Sequence, residues 1–128
     1  MNIINNYPWI LKPSFIDSIE ATYWKEALVN KIKWYQPKIK VYSKIYPVPR
    51  LTYFLGEKGI SYKYSGLEHL GNGWPKWFMP LLTRIQVNCN VSFNGCLLNL
   101  YRNGNDRMGW HADNEKEIDS TKDFYLIK

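Results

Sequence analysis

The chain has 128 residues, of which 45% are hydrophobic and 16% aromatic, and its formal net charge at pH 7 is +6. This length fits a single domain, residues 1–128, and the apolar content is enough to pack a core, which excludes a disordered tail. No run of about eighteen apolar residues could cross a bilayer, and residues 1–9 lack a secretory signal, so we expect no membrane contact and an intracellular location, cytoplasmic or nuclear.

Residues 14–35 have the pattern of an amphipathic helix. Ser14 and Asp17 resemble a capping box at its start. Apolar side chains recur along it at helical spacing, at Ile16, Ile19, Tyr23, Ala27 and Leu28. We predict that this N-terminal helix covers a sheet.

The middle of the chain has the composition of strands. Residues 38–46 predict one strand because they are rich in β-branched and aromatic side chains, and Pro47 ends it. Residues 50–55 and 60–64 predict two more strands, separated by a turn at Gly56 and Gly59. Residues 66–77 hold three Gly, one Pro and two Trp, a composition that favours a loop.

The last third of the chain begins with a second predicted helix. Pro80 suits its first turn, and we expect the helix to end near Asn88. Residues 95–101 then predict a strand. Cys89 and Cys96 match no zinc spacing, and we expect both to be ordinary buried thiols without a disulfide.

Positive charge is concentrated in the first part of the chain. Residues 1–50 carry eight Lys or Arg against three acids, whereas residues 105–128 carry four against six. Lysines and tyrosines are interleaved in residues 35–50, where they could contact phosphates and stack on bases. A strand edge kept soluble by its lysines would have the same composition, so both interpretations remain open.

Two polar side chains share one face of the predicted strand 95–101. Because side chains alternate along a strand, Asn99 and Tyr101 point to the same side. An amide and a phenol placed in this way can both reach a small carboxylate ligand. An amphipathic strand that faces water has the same pattern.

A candidate metal site follows the turn predicted at Asn103 and Gly104. In an extended backbone, His111 and Asp113 project from the same face, so a nitrogen and a carboxylate oxygen can bind one ion. They would supply two of the three ligands in the facial triad of non-haem iron(II) oxygenases. A lone His-x-Asp also occurs as a surface pair, so the motif needs support from its surroundings.

Five separated segments give that support: residues 48–50, 56–66, 93–94, 99–104 and 108–115. In this order they resemble the AlkB family of Fe(II)- and 2-oxoglutarate-dependent dioxygenases, most closely the branch that repairs alkylated DNA bases. The resemblance implies an α+β fold, a partial double-stranded β-helix (jelly roll) of the 2-oxoglutarate oxygenase type with covering N-terminal helices. It also implies Fe(II), 2-oxoglutarate as cosubstrate, and dioxygen.

The same resemblance assigns roles to individual residues. His111 and Asp113 would bind iron, and Asn99 and Tyr101 would bind 2-oxoglutarate. Tyr62 would stack on a base that has left the helix. The other residues implied to contact nucleic acid are Ser65 and Met108 in the base pocket, Glu115 on the damaged base, Arg50 on nearby DNA, and Tyr42 as an aromatic wedge. Core packing is the alternative for Tyr42, Tyr62 and Met108, and a solvated acid is the alternative for Glu115.

The chain departs from the family pattern after Asp113. The family has a second iron-binding His and an Arg for the cosubstrate further along, whereas fifteen residues follow Asp113 here. His69 is the other histidine, and because it lies upstream in the predicted loop we expect a surface or loop role for it. We therefore hypothesise a domain that lacks its C-terminal strands, with impaired turnover.

Three functions are compatible with these features. The first is oxidative demethylation of N-alkylated bases in DNA or RNA, and the second is a noncatalytic nucleic-acid-binding remnant of such an enzyme. The third is a hydroxylase of the same fold that acts on protein or lipid, which Arg50 and residues 62–66 make less favourable. The sequence indicates neither the preferred lesion nor the oligomeric state.

Overall fold

The computed structural model describes residues 10–64 and 67–109. The chain divides into two compact units, Met1–Lys33 and Trp34–Lys128. The single domain expected from the sequence stays a prediction. Within the described ranges, no helix is both long enough and apolar enough to span a membrane.

The first unit contains helix α1, Ser18–Lys31, which is shorter at both ends than predicted. Asp17 is its N-cap, and the carboxylate of Asp17 accepts a hydrogen bond of 2.8 Å from the backbone N–H of Glu20. Ser14 has a left-handed backbone, with φ at 55°, and lies outside the helix. The predicted capping box is therefore wrong, and a single Asp cap, which is among the most favourable, replaces it.

The buried side of α1 is centred on Trp24, with the predicted positions Ala27 and Leu28 half-buried beside it, whereas two other predicted positions face outward. Trp24 is buried, and its indole N–H donates to Glu20 at 3.3 Å, whereas Ile19 is 82% exposed and Tyr23 is also exposed. Tryptophan removes more surface from water than isoleucine, which favours this orientation. Whether α1 covers a sheet stays a prediction.

Residues 38–47 form a β-hairpin where one strand was predicted. Strand β1, Lys38–Val41, pairs antiparallel with β2, Lys44–Pro47, with Val41 opposite Lys44. Tyr42 and Ser43 form the two-residue turn, and both have positive φ, at 47° and 67°. Consecutive left-handed residues are the signature of a type I′ turn, whose twist matches that of the paired strands.

The centre of the second unit is a two-stranded ribbon. Strand β3, Leu51–Gly56, pairs antiparallel with β6, Gly95–Leu100, in a register that places Thr52 opposite Asn99 and Gly56 opposite Gly95. Both strands were predicted within a residue or two of their ends. On its other side, β3 meets Tyr35, which exchanges two backbone hydrogen bonds with Thr52 of 3.2 and 2.9 Å.

A third antiparallel pair lies partly in the predicted loop. Strand β4, Ser61–Tyr64, was expected, whereas β5, Leu67–Leu70, was not. Their register places Tyr62 opposite His69. The predicted turn between β3 and β4 is confirmed, because Gly59 has φ at 89° and the N–H of Ile60 donates to Glu57 at 3.1 Å. Gly71 follows β5 so closely that a Cβ there would lie 2.2 Å from the Glu57 carbonyl oxygen, which leaves room only for glycine.

A short 3₁₀ turn, Lys76–Phe78, leads into helix α2, Met79–Cys89. Pro80 lies in the first turn of α2, as predicted, and Asn90 ends the helix in a left-handed conformation. The buried side chains of the second unit come from β3, β5, α2 and the segments beside them, and are Val48, Thr52, Phe54, Leu55, His69, Phe78, Leu81 and Leu82.

Candidate active site

The β3–β6 ribbon brings several side chains to one face. Directly opposed residues of an antiparallel pair share a face, and side chains along each strand alternate. Thr52 and Phe54 of β3 therefore lie on the same face as Leu97 and Asn99 of β6. The opposite face carries Cys96.

Asn99 and Tyr101 are the residues predicted to bind 2-oxoglutarate, and Asn99 is the one that lies within β6, on this face. Its amide oxygen is buried, and no described residue forms a hydrogen bond with it. A buried amide without a partner is costly, and the group can present either its oxygen or its NH₂ by rotating about its last side-chain bond. Tyr101 lies just beyond the end of β6 and is partly exposed.

Tyr62 reaches the same face of the ribbon through Phe54. The two rings stack with centroids 5.9 Å apart and planes 21° from parallel. Phe54 is buried and Tyr62 is half-buried. The predicted base-stacking residue thus lies on the β4–β5 pair, in contact with the face that carries Asn99.

Arg50 lies directly before β3, beside a small recess whose walls are mostly apolar. Thr52 and His69 are the other polar residues that line this recess, and Ile39 of the first hairpin lines it as well. The Nε atom of Arg50 is buried and has no hydrogen-bond partner among the described residues. Its N–H is thus a buried donor with unused capacity.

The loop after β6 is closed by one ion pair. The backbone N–H, Nε and Nη2 of Arg102 donate to the carboxylate of Asp106 at 2.8, 2.8 and 3.0 Å. These side-chain hydrogen bonds lower the pKa of Asp106, so the pair is ionised at neutral pH. The next residue, Arg107, donates its N–H to the Pro49 carbonyl at 2.7 Å, which connects the loop to the segment that carries Arg50.

Tyr42 is at the tip of the β1–β2 hairpin, where its side chain is 97% exposed. The cross-strand register puts Lys38, Lys40 and Ile45 on one face of this hairpin and Ile39, Val41, Lys44 and Tyr46 on the other, and all are exposed. Ile39 lines the recess beside Arg50, so the second face, with three apolar or aromatic side chains and Lys44, lies on the side of the recess, and Lys38 and Lys40 lie on the opposite side.

The expectation that His69 is a surface or loop residue is wrong. His69 lies in β5 with 5% of its surface exposed, and its Nδ1 shares a hydrogen bond of 3.2 Å with the hydroxyl of Tyr35. Burial lowers the pKa of His69. The order of Leu67, Glu68, His69 and Leu70 is apolar, polar, polar, apolar, so no alternation of apolar side chains marked this strand.

The predicted iron ligands lie outside the described residues. These ligands are His111 and Asp113. Two of the predicted base contacts, Ser65 and Glu115, also lie outside the described residues. Met108 is described and is half-buried after the loop. In the described part of the chain, no three His, Cys, Asp or Glu side chains are grouped as metal ligands.

The two cysteines are free thiols, as expected, although both are half-buried and not fully buried. Burial raises the pKa of Cys96 to about 11. A thiol with this pKa remains protonated at neutral pH and is a poor nucleophile. Cys96 therefore has no place in the chemistry of the site.

Comparison with known proteins extends this description. A sequence profile of the 2OG-Fe(II) oxygenase superfamily matches residues 9–124. The alpha-ketoglutarate-dependent dioxygenase alkB homolog 3 of Mus musculus is 36% identical over 113 residues, which cover 86% of this chain and 38% of that protein. The chain belongs to the AlkB family of 2OG-Fe(II) oxygenases. The resemblance carried by the five sequence segments is thereby confirmed.

Two further AlkB relatives show the same similarity. The alkB homolog 3 of Homo sapiens is 37% identical over 111 residues, covering 84% of the chain and 37% of that protein. The DNA oxidative demethylase ALKBH2 of Mus musculus is 36% identical over 85 residues, covering 63% of the chain and 34% of that protein. The chain thus spans less than two-fifths of the length of these AlkB relatives.

Membership of the AlkB family implies a jelly-roll fold. The described residues contain two α-helices and three antiparallel strand pairs, which agrees with the predicted α+β class. Three residues of the site were not predicted as part of it. They are Phe54, which contacts the rings of Tyr62 and His69, His69 itself, and Tyr35, which is hydrogen-bonded to His69. These contacts depend on which strands pair.

Proposed function

We propose that this chain carries the substrate and cosubstrate side of an AlkB-type dioxygenase that oxidatively demethylates N-alkylated bases in DNA or RNA. The relatives are a dioxygenase that depends on alpha-ketoglutarate and a DNA oxidative demethylase. Both activities come to this chain as a proposal, because it spans only part of their length.

One observation in the structure carries this proposal. The face of the β3–β6 ribbon holds Asn99, with its unpartnered buried amide, and also Phe54, on which Tyr62 stacks. A cosubstrate bound at Asn99 and a base stacked on Tyr62 would then lie on the same side of one rigid ribbon. Oxidation of a base substituent requires this proximity.

The residues present suit the implied cosubstrate. The amide of Asn99 and the hydroxyl of Tyr101 would donate to the carboxylates of 2-oxoglutarate, and His111 with Asp113 would hold Fe(II). The unpartnered atom is the amide oxygen, so the amide of Asn99 would turn about its last side-chain bond to present its NH₂ to a carboxylate. When bound, Fe(II) with 2-oxoglutarate and dioxygen would supply the oxidation of an N-methyl group, and the products would be succinate, carbon dioxide, formaldehyde and the restored base.

The nucleic acid would contact the chain through the β1–β2 hairpin and the segment before β3. Tyr42 projects from the hairpin tip as the proposed wedge, and Lys38 and Lys40 offer positive charge on one face. Arg50 has an unused buried donor beside the recess and would contact the nucleic acid there. Glu115, Ser65 and Met108 are proposed to surround the base.

We infer that the β3–β6 ribbon is part of the double-stranded β-helix of the family. Within the described residues, β6 pairs on one side only, with β3. An open strand edge in a sheet is a place where a further strand can pair.

The test is a turnover assay of the full chain with Fe(II), 2-oxoglutarate and a methylated DNA or RNA oligomer. Succinate and formaldehyde are measured together, and we expect equal amounts. His111→Ala is expected to abolish both. Tyr23→Phe, on the exposed side of α1, is the matched control and is expected to retain full activity.

Two results would contradict the proposal in different ways. A folded chain that binds the methylated oligomer but releases neither product is a noncatalytic binding remnant. Succinate release that does not depend on any nucleic acid indicates a hydroxylase with another substrate.

A further inference from the structure

Tyr62 packs against a group of aromatic side chains. None of them is among the site residues predicted from the sequence motifs or from the family. Its members are Tyr35, Phe54 and His69, and we call it the support cluster. Phe54 contacts Tyr62 and also His69, with ring centroids 5.9 and 6.0 Å apart. Tyr35 contacts His69 at 6.5 Å.

His69 fixes the strand that faces Tyr62. The two residues are directly opposite in the β4–β5 pair, so their side chains share a face and their Cβ atoms are close neighbours. The Tyr35 hydroxyl and His69 Nδ1 share a hydrogen bond of 3.2 Å. Since Tyr35 also exchanges two backbone hydrogen bonds with Thr52, His69 connects the β4–β5 pair to β3.

Phe54 is held in place by two glycines. Gly56 and Gly95 are opposite each other at the end of the ribbon, and a Cβ on either would lie 2.9 or 2.7 Å from the Phe54 ring. The missing side chains leave space that the ring occupies. With this surface on one side and Tyr62 on the other, the Phe54 ring has little freedom to rotate.

We infer that Phe54 and His69 are positioning residues that hold Tyr62 at the orientation needed to stack on a nucleobase. This inference rests on the proposed function, because it assumes that Tyr62 contacts the base. Phe54 and His69 do not touch the nucleic acid; they act through Tyr62. Base stacking on an aromatic ring is sensitive to the direction of the ring plane, so a ring that can tilt binds a base less well.

The test is a double-mutant cycle on binding of a single-stranded N-methylated oligomer to the full chain with Fe(II) and 2-oxoglutarate, in the absence of dioxygen so that no turnover occurs. We expect Tyr62→Leu to raise Kd about tenfold and Phe54→Leu to raise it about fivefold. When Tyr62 is already Leu, Phe54→Leu is expected to change Kd by less than about twofold.

The 2-oxoglutarate affinity of the same samples separates positioning from a loss of fold. A general structural defect would lower the affinity for both ligands. A loss of Tyr62 positioning would lower only the affinity for the oligomer. Tyr35→Phe is a second probe that removes one oxygen and keeps every ring. We expect it to raise the oligomer Kd about threefold, again only while Tyr62 is present. Tyr23→Phe removes a hydroxyl elsewhere and is expected to have no effect.

The failure of this inference differs from the failure of the proposed function. Additive effects of Phe54→Leu and Tyr62→Leu, or of Tyr35→Phe and Tyr62→Leu, would overturn the positioning role while leaving base stacking intact. If Phe54→Leu does not fold, the cycle with Tyr35→Phe decides in the same way. No binding and no turnover by the unmodified chain would overturn the proposed function itself.

Discussion

Asn99 places a polar amide where an apolar side chain would pack with less cost to the fold. Its oxygen is buried without a described partner, and such a group costs stability. If the amide turns and its NH₂ donates to 2-oxoglutarate, as proposed, the residue trades stability of the free chain for that contact. Active sites commonly show this trade.

This trade predicts two effects of opposite sign for Asn99→Leu. The free energy of unfolding without cosubstrate is expected to rise by about 1 kcal/mol, because the unpartnered amide is gone. The KM for 2-oxoglutarate is expected to rise about tenfold, because a charge-assisted hydrogen bond is lost. Urea unfolding and succinate release measure the two quantities. Asn105→Ala, in the exposed loop, is the control, and a loss of stability in Asn99→Leu would contradict the prediction.

The burial of His69 predicts a dependence of stability on pH. Its folded pKa is lowered below the ordinary value of 6.5, so between these two values the unfolded chain binds more protons than the folded chain. The free energy of unfolding should therefore fall as pH drops below about 6.5. His69→Gln, which cannot titrate, is expected to flatten this dependence.

The measurement is urea unfolding of both proteins between about pH 5 and pH 8, a range that brackets the ordinary histidine pKa. His111 is present in both, so its contribution cancels in the difference. Parallel pH profiles for the two proteins would show that His69 protonates equally well in the folded and unfolded chain.

At the scale of elements, the packing of Phe54 at the end of the β3–β6 ribbon requires that residue 95 has no side chain. A Cβ on Gly95 would lie 2.7 Å from Phe54 Cζ, so Gly95→Ala has to displace the buried ring. We expect it to lower the free energy of unfolding by about 1 to 3 kcal/mol. Gly104→Ala adds the same methyl where nothing lies within 4 Å, and urea unfolding should show a change below about 0.5 kcal/mol. Equal effects of both substitutions would contradict the packing described for Phe54.

The elements predicted correctly were those whose signal is local. Residues 95–101 alternate and are rich in apolar side chains, and Pro80 marks the start of a helix, so β6 and α2 were found from sequence. The turn at Tyr42 and Ser43 was missed because it lacks the Asn-Gly or Asp-Gly that usually marks a type I′ turn. Strand β5 was missed because the Gly and Trp residues around it favoured a loop.

The residues proposed for the candidate site come from linear motifs, and their roles stay predictions. Asn99 and Tyr62 were singled out from the family pattern, and the structure puts them on one side of the ribbon. The support cluster could not be predicted, because His69 and Phe54 meet only through the register of β4 with β5 and the contact of that pair with β3. Pairing between distant strands is not encoded in the spacing of either strand alone.

For the whole molecule, the uneven charge predicts how binding responds to salt. Each contact between a lysine and a phosphate releases counterions, so the logarithm of affinity for a single strand falls with the logarithm of salt concentration by about 0.7 per contact. If Lys38, Lys40 and Lys44 contact phosphates, replacing all three by Ala should reduce this slope by about 2.

Fluorescence anisotropy of a labelled methylated oligomer at several salt concentrations gives the slope. The matched control removes the same charge from the helical unit, at Lys25, Lys31 and Lys33, and is expected to change the slope much less. Equal changes in the two triple variants would mean that only the net charge of +6 matters and that the hairpin is not the binding surface.

The two-residue turn at Tyr42 and Ser43 also affects how readily a protease can cleave the hairpin. Lys40 and Lys44 lie on either side of the turn and are exposed, yet both are held in cross-strand pairs, with Ile45 and Val41 respectively. A trypsin-like protease needs an extended, unpaired segment, so cleavage after either lysine requires the hairpin to open first. The rate of digestion at these two bonds would then report the free energy of opening of the hairpin, separately from the unfolding of the rest of the chain.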